Sequence, residues 1–200
     1  MTKITPAVND KNSIVECDVD KIVRHLCVSY AQIRIEFARN IRLINLALDQ
    51  NDVTTVIKIM RRVFDLPSGF VKKVGYSAKI EAIAMLRIEY HPVSGLPLQS
   101  TMYFQKSCVE LCKMPRYRLL HVIGHELSHA RMHIDNHKYR PSEFATDVLS
   151  LIATGSSVDY VKHMREQTAD YILEYGYIRT DLFDALFCSL DKYASVAYLK

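Results

Sequence analysis

The sequence predicts an α+β chain: a helical N-terminal part, a small antiparallel-containing sheet with an edge strand, and a mainly helical half. Three observations predict it. Apolar residues recur at helical spacing before position 66 and again after position 115, and between positions 80 and 90 the period falls to two. Only six Gly and six Pro occur in 200 residues, which leaves little room for long loops. Hydrophobic residues make up 49% of the chain, enough to build a sizeable core and to exclude wholesale disorder.

Asp18 is predicted to cap a helix carrying Ile22, Val23, Leu26, Cys27, Tyr30, Ile33, Phe37 and Ile41 at helical spacing, running on with a break to about 48. Residues 49–52 read as a turn, with Asp52 capping a second helix through Phe64. Leu66-Pro67-Ser68-Gly69 then punctuates the chain. Ile80, Ala82, Ala84, Leu86, Ile88 and Tyr90 alternate with partly charged residues, as a half-buried strand does. Residues 91–95 form a turn, and 98–105 a second, antiparallel strand. Pro115 opens a helix to about His133, and Pro141 opens another that closes at Gly155. Further helices are expected over 157–175 and from a cap at Thr180 to the end. Residues 1–66 therefore read as a helical region packed on a core of 67–200, or the whole as one compact domain.

The net charge of +4 is diffuse, with no basic run beyond pairs such as Arg61-Arg62 and Lys72-Lys73, so nucleic acid is not an expected partner. Five scattered cysteines suggest no disulfide framework and fit a reducing compartment. The first ten residues lack the apolar core of a signal peptide, and no stretch approaches the roughly 18 apolar residues of a membrane span. A soluble, cytoplasmic chain is expected. Its oligomeric state is not legible.

The chemistry lies in His121-Val-Ile-Gly-His125-Glu126-Leu-Ser-His129, which contains HExxH. On a helix, side chains four apart share a face about 6 Å apart. His125 and His129 can then both ligate one tetrahedral zinc, one ion per chain, while Glu126 lies beside the open position. There Glu126 can hold a zinc-bound water and take its proton. Leu119, Val122, Ile123 and Leu127 supply apolar support for such a helix.

A third ligand is required. Ser142-Glu143-Phe-Ala-Thr-Asp147 opens the next predicted helix, and the seven residues 134–140 can reverse the chain. With the two helices antiparallel, Glu143 falls near the level of His129 and becomes the third ligand. Asp147 falls near the level of His125, where it can accept a hydrogen bond from a ligand imidazole and fix its tautomer.

HExxH followed by ExxxD resembles the gluzincin metallopeptidases. Residues 116–133 are similar to the active helix of the ImmA/IrrE family, and residues 143–155 resemble HtpX-type peptidases without their membrane helices. The resemblance covers roughly residues 80–165. It implies a minimal zincin-like domain over 67–200 and a protein or peptide substrate held as an added strand along the sheet edge. By that resemblance the strand before the active helix, with Leu98, Ser100, Met102 and Phe104, is the candidate edge. Where the ImmA/IrrE pattern usually has Gly this chain has Ser128, and the segment after Gly155 also departs from it.

Other ligand schemes remain. The metzincin pattern wants Gly at 132 and His at 135, where this chain has Met132 and Asp135, and it is rejected. His133 or His137 could supply the third ligand, and Asp147 could ligate in place of Glu143. His121 reads as a structural histidine. Candidate oxyanion donors are Tyr139, Arg140, Tyr160 and His163, and Cys108 and Cys112 read as small hydrophobes. The expected function is zinc-dependent peptide hydrolysis. The alternative is a regulatory or partner-binding protein that keeps the fold without turnover, docking through helices bearing Arg24, Arg34, Arg39 and Arg42.

Overall fold

A computed structural model describes residues 16–80, 82–155, 185, 186, 188–190, 192 and 193. The element order is α1 (Glu16–Ser29), α2 (Ala31–Asp49), α3 (Val53–Val63), β1 (Val71–Tyr76), β2 (Ala84–Tyr90), β3 (Pro97–Phe104), α4 (Cys108–Cys112), α5 (Arg116–Ile134) and α6 (Glu143–Thr154). The α+β layout is as the sequence predicts. The helix expected over 157–175 and the Thr180 cap lie outside the described residues. No helix among the described residues is long and apolar enough to cross a membrane.

The break in the first long helix falls at Tyr30, between α1 and α2. Asp18 is not a cap. The helix already includes Glu16, and Asp18 instead sits 3.7 Å from Lys21 one turn on. Asp52 does cap α3, its carboxylate accepting the backbone N–H of Thr55 at 2.9 Å. Ser142 performs the same role for α6, and Gly155 ends that helix at φ 61°, a left-handed conformation that favours glycine.

The sheet differs from expectation in one decisive respect. Its strand order is β1-β3-β2, with β1 parallel and β2 antiparallel to β3. The strand bearing Leu98, Ser100, Met102 and Phe104 is therefore central, not the edge. Both sides of its backbone are paired, and Ser100, Met102 and Phe104 point into the core while Leu98 is exposed. The correction stems from β1, which sequence periodicity missed. Its residues Val71-Lys-Lys-Val-Gly-Tyr76 carry no alternation, and only pairing with β3 makes them a strand. The true edge facing the helical half is β2. The alternating segment is also shorter than predicted, because Ile80 and Ala82 precede the strand.

Helix α6 lies at the centre. Every residue from Phe144 to Thr154 is buried, as expected for a helix apolar on most of its surface. α5 packs along it, with α1 and α2 against other parts of it and β2 across α5. Two links tie α1 and its end to the chain just after α5. Tyr30 donates its hydroxyl to Asp135 at 3.0 Å, and His25 and His137 meet through their Nε2 atoms at 3.0 Å.

Burial, then neighbouring His25 and Lys138, lower the pKa of His137 against the opposing pull of Asp135. The unfolded chain thus takes up this proton at a higher pH than the folded one. The stabilisation is complete above the ordinary imidazole value of 6.5 and is lost as pH falls below it. Urea midpoints should drop between about pH 7.5 and about pH 5.5, and drop less in His137→Gln. Equal drops in the two proteins would refute this.

Candidate metal centre

Helix α5 buries Leu119, Leu120, Ile123, Leu127 and Ala130, which leaves His125, Glu126 and His129 on a different, half-buried face, with Glu126 against β2. Its approach to α6 is unusually close. A Cβ on Gly124 would stand 2.6 Å from Ser150 Oγ and 3.2 Å from Thr154 Cγ2. Ser150 Oγ–H donates to the carbonyl of His121 at 2.9 Å, and Ser128 Oγ–H to that of Gly124 at 2.7 Å. Small side chains on both helices thus set the spacing of the candidate metal-binding groups.

That spacing is testable. Gly124→Ala should lose about 1–3 kcal/mol to overpacking, offset by about 1 kcal/mol of helix propensity. A net loss of up to about 2 kcal/mol is expected, and adding Ser150→Ala should restore most of it. Urea titration of both variants checks this, and a Gly124→Ala protein more stable than wild type would contradict it.

At the site, His125 Nε2, His129 Nε2 and Glu143 Oε2 form a triangle with sides of 3.2, 3.2 and 3.2 Å. Metal–ligand bonds of about 2.0–2.1 Å in tetrahedral geometry place ligand atoms about 3.3 Å apart. The residues present therefore fit a metal ion. Each imidazole is also oriented from behind. His125 Nδ1 lies 2.6 Å from Asp147 Oδ1, and His129 Nδ1 lies 3.5 Å from Thr146 Oγ1, which donates its own proton to the Ser142 carbonyl. Both rings thereby direct Nε2 toward the same point.

The electrostatics agree. Burial opposes protonation of His125, yet Asp147, Glu143 and Glu126 overcome it and raise its pKa well above the ordinary imidazole value. Burial likewise opposes ionisation of Glu143, and hydrogen bonds from His125 and His129 outweigh it, holding the carboxyl at about 2. Asp147 is fully buried, and its neighbours His125 and His121 keep it ionised far below the usual carboxylate range. The anionic oxygens that favour positive charge on His125 would favour a divalent cation in the same place.

Glu126 lies on the β2 side. Its Oε2 accepts the backbone N–H of Leu86 at 2.7 Å. That N–H faces away from β3, so antiparallel alternation also turns the backbone groups of Ala84 and Ile88 to the side of β2 that no other described strand pairs.

The alternative ligands point elsewhere. His133 Nδ1 is 3.2 Å from the Tyr90 hydroxyl, and His137 is engaged with His25. Asp147 occupies the outer position, behind His125. Among the oxyanion candidates, Tyr139 packs edge-on against His25 and Arg140 bonds to Asn136, while Tyr160 and His163 lie outside the described residues. No metal-binding group among the described residues includes a cysteine. Sequence reasoning missed Thr146 and Leu86. Thr146 is three residues after Glu143, a spacing that could have flagged it. Leu86 contributes a backbone group, for which no residue type gives a signal.

Comparison with protein-family models, curated proteins and solved structures finds no match. The geometry alone carries the functional reading.

Proposed function

We propose that the chain is a zinc-dependent metallopeptidase of gluzincin type. The observation supporting this most strongly is the 3.2 Å triangle of His125, His129 and Glu143 beside the carboxylate of Glu126. A zinc ion held there supplies Lewis-acid polarisation of a peptide carbonyl and lowers the pKa of a water. Glu126, steadied at Oε2 by the Leu86 N–H, takes the proton of the attacking water on its other oxygen and delivers it to the departing amine. Asp147 and Thr146 hold the two imidazoles in the tautomers the metal needs. An extended peptide adds along the edge of β2, pairing with the backbone groups of Ala84 and Ile88 on either side of the Leu86 N–H that Glu126 holds, and these hydrogen bonds supply much of its affinity.

The test is metal content and cleavage together. Protein purified without chelator should carry about one zinc per chain, and Glu143→Ala should carry far less. Wild type should cleave members of a random peptide library, and a chelator should stop it. Absence of zinc even after add-back would end the reading. Stoichiometric zinc with no cleavage would leave the regulatory alternative.

A further inference from the structure

We propose that His121 is a positioning residue of the metal centre, the outer member of a buried chain His121–Asp147–His125. The proposal rests on the metal-centre reading above and extends it to a side chain whose position in the sequence suggests only a structural role.

His121 stands one helical turn before His125 and is 3% exposed. Its Nε2 lies 3.3 Å from Asp147 Oδ1, the same oxygen that lies 2.6 Å from His125 Nδ1. The residue is anchored at its backbone as well, because its carbonyl accepts the Ser150 hydroxyl. One carboxylate oxygen thus receives two imidazole donors.

The arrangement could instead be read as a second metal position, since His121, His125 and Asp147 cluster within ligand range. The distances decide against it. Two ligand atoms of one tetrahedral ion lie about 3.3 Å apart, whereas 2.6 Å between His125 Nδ1 and Asp147 Oδ1 is a short charge-assisted hydrogen bond. His125 has its Nε2 in the Glu143 triangle, so its Nδ1 must carry the proton. Asp147 accepts that proton's hydrogen bond and, on the same oxygen, the Nε2–H of His121.

A His121 buried this deeply is best accommodated neutral, because loss of water penalises the charged imidazole. A neutral imidazole has one proton to give, and the geometry puts it on Nε2. Removing this donor leaves a buried carboxylate with one partner fewer, free to rotate or shift against His125. The ligand would then lose part of its orientation, and outer-sphere partners of metal-bound histidines typically govern affinity by about 10–100-fold.

The experiment compares zinc affinity, measured by chelator competition, for wild type, His121→Leu and His121→Gln. Leu should weaken binding by about 10–100-fold. Gln can place its amide nitrogen near the former Nε2 and should recover to within about threefold of wild type, since only the donor is needed. His121→Leu on an Asp147→Ala background should cost little more than Asp147→Ala alone, because both act through one contact. A purely packing role would lower thermal stability in both His121 variants and leave affinity unchanged. That result overturns the proposal, as does a Gln variant no better than Leu. Should the Leu variant fail to fold, nitrogen NMR of wild type decides directly: His121 must carry its proton on Nε2, and a proton on Nδ1 refutes the chain. A wild type that binds no zinc would overturn this proposal together with the metal centre, whereas normal zinc binding by His121→Leu would overturn this proposal alone.

Discussion

Glu126→Gln should reduce peptide hydrolysis by at least about 10²–10⁴-fold while zinc content and melting temperature stay near wild type. The argument follows from what the substitution preserves. Glu126 Oε2 accepts the Leu86 N–H, and the Gln carbonyl oxygen can accept the same bond in the same place. The side chain therefore keeps its position against β2 and loses only its capacity to take a proton. His125, His129 and Glu143 are untouched, so metal binding should persist. Cleavage assays with equal zinc loading in both proteins check this. Retained hydrolysis would remove Glu126 from the mechanism, and loss of zinc would mean that it also serves the metal.

Asp147→Asn should produce the largest loss of stability, about 3–5 kcal/mol, as expected when one partner of a buried charged network is neutralised. For a chain of this size that is a fall in melting temperature of roughly 6–20 °C. The amide matches the carboxylate in shape but not in charge. It presents either an NH₂ group or a weaker acceptor to donors on His121 and His125, which stand 3.3 and 2.6 Å away. Zinc affinity should fall alongside by about 10–100-fold, because His125 loses the group that fixes its tautomer. Calorimetry of metal-free protein separates the stability loss from the loss of zinc. An Asn variant that melts like wild type without metal would show that Asp147 carries no buried charge.

Glu126, His125, His129, Glu143 and Asp147 were all legible in the sequence, because HExxH and ExxxD are statements about one turn of helix. Residues four apart on a helix share a face wherever that helix is placed. The packing of α5 against α6 needed only one further assumption, that seven residues reverse the chain. The partners of these residues were not legible in the same way. Thr146 and His121 act through contacts across the α5–α6 interface, and Leu86 reaches Glu126 from 40 residues away through its backbone.

The sheet shows the limit most clearly. Alternation from Ala84 to Tyr90 announced β2, and the turn at 91–95 announced its antiparallel pairing with β3. Nothing in Val71–Tyr76 announced β1, whose two adjacent lysines and glycine break any period. Missing that strand made β3 look like an edge, when it is the central strand. Asp18 failed as a cap for a related reason: an acidic residue near a helix start also suits a pair with Lys21 inside the helix.

By itself, then, the sequence determined the α+β class, the helices α3, α5 and α6 with their approximate ends, and the cluster of His125, His129 and Glu143 that could hold a metal, with Glu126 beside it. These follow from spacings of four residues or fewer, which the local backbone converts into shared faces. Only the tertiary structure decided that β3 is central and β2 an outer strand beside α5, that the Leu86 N–H meets Glu126, and that His121 backs Asp147. Strand order and cross-element hydrogen bonds depend on residues brought together from distant positions, and pairing of backbone groups leaves no mark in the side chains that carry it.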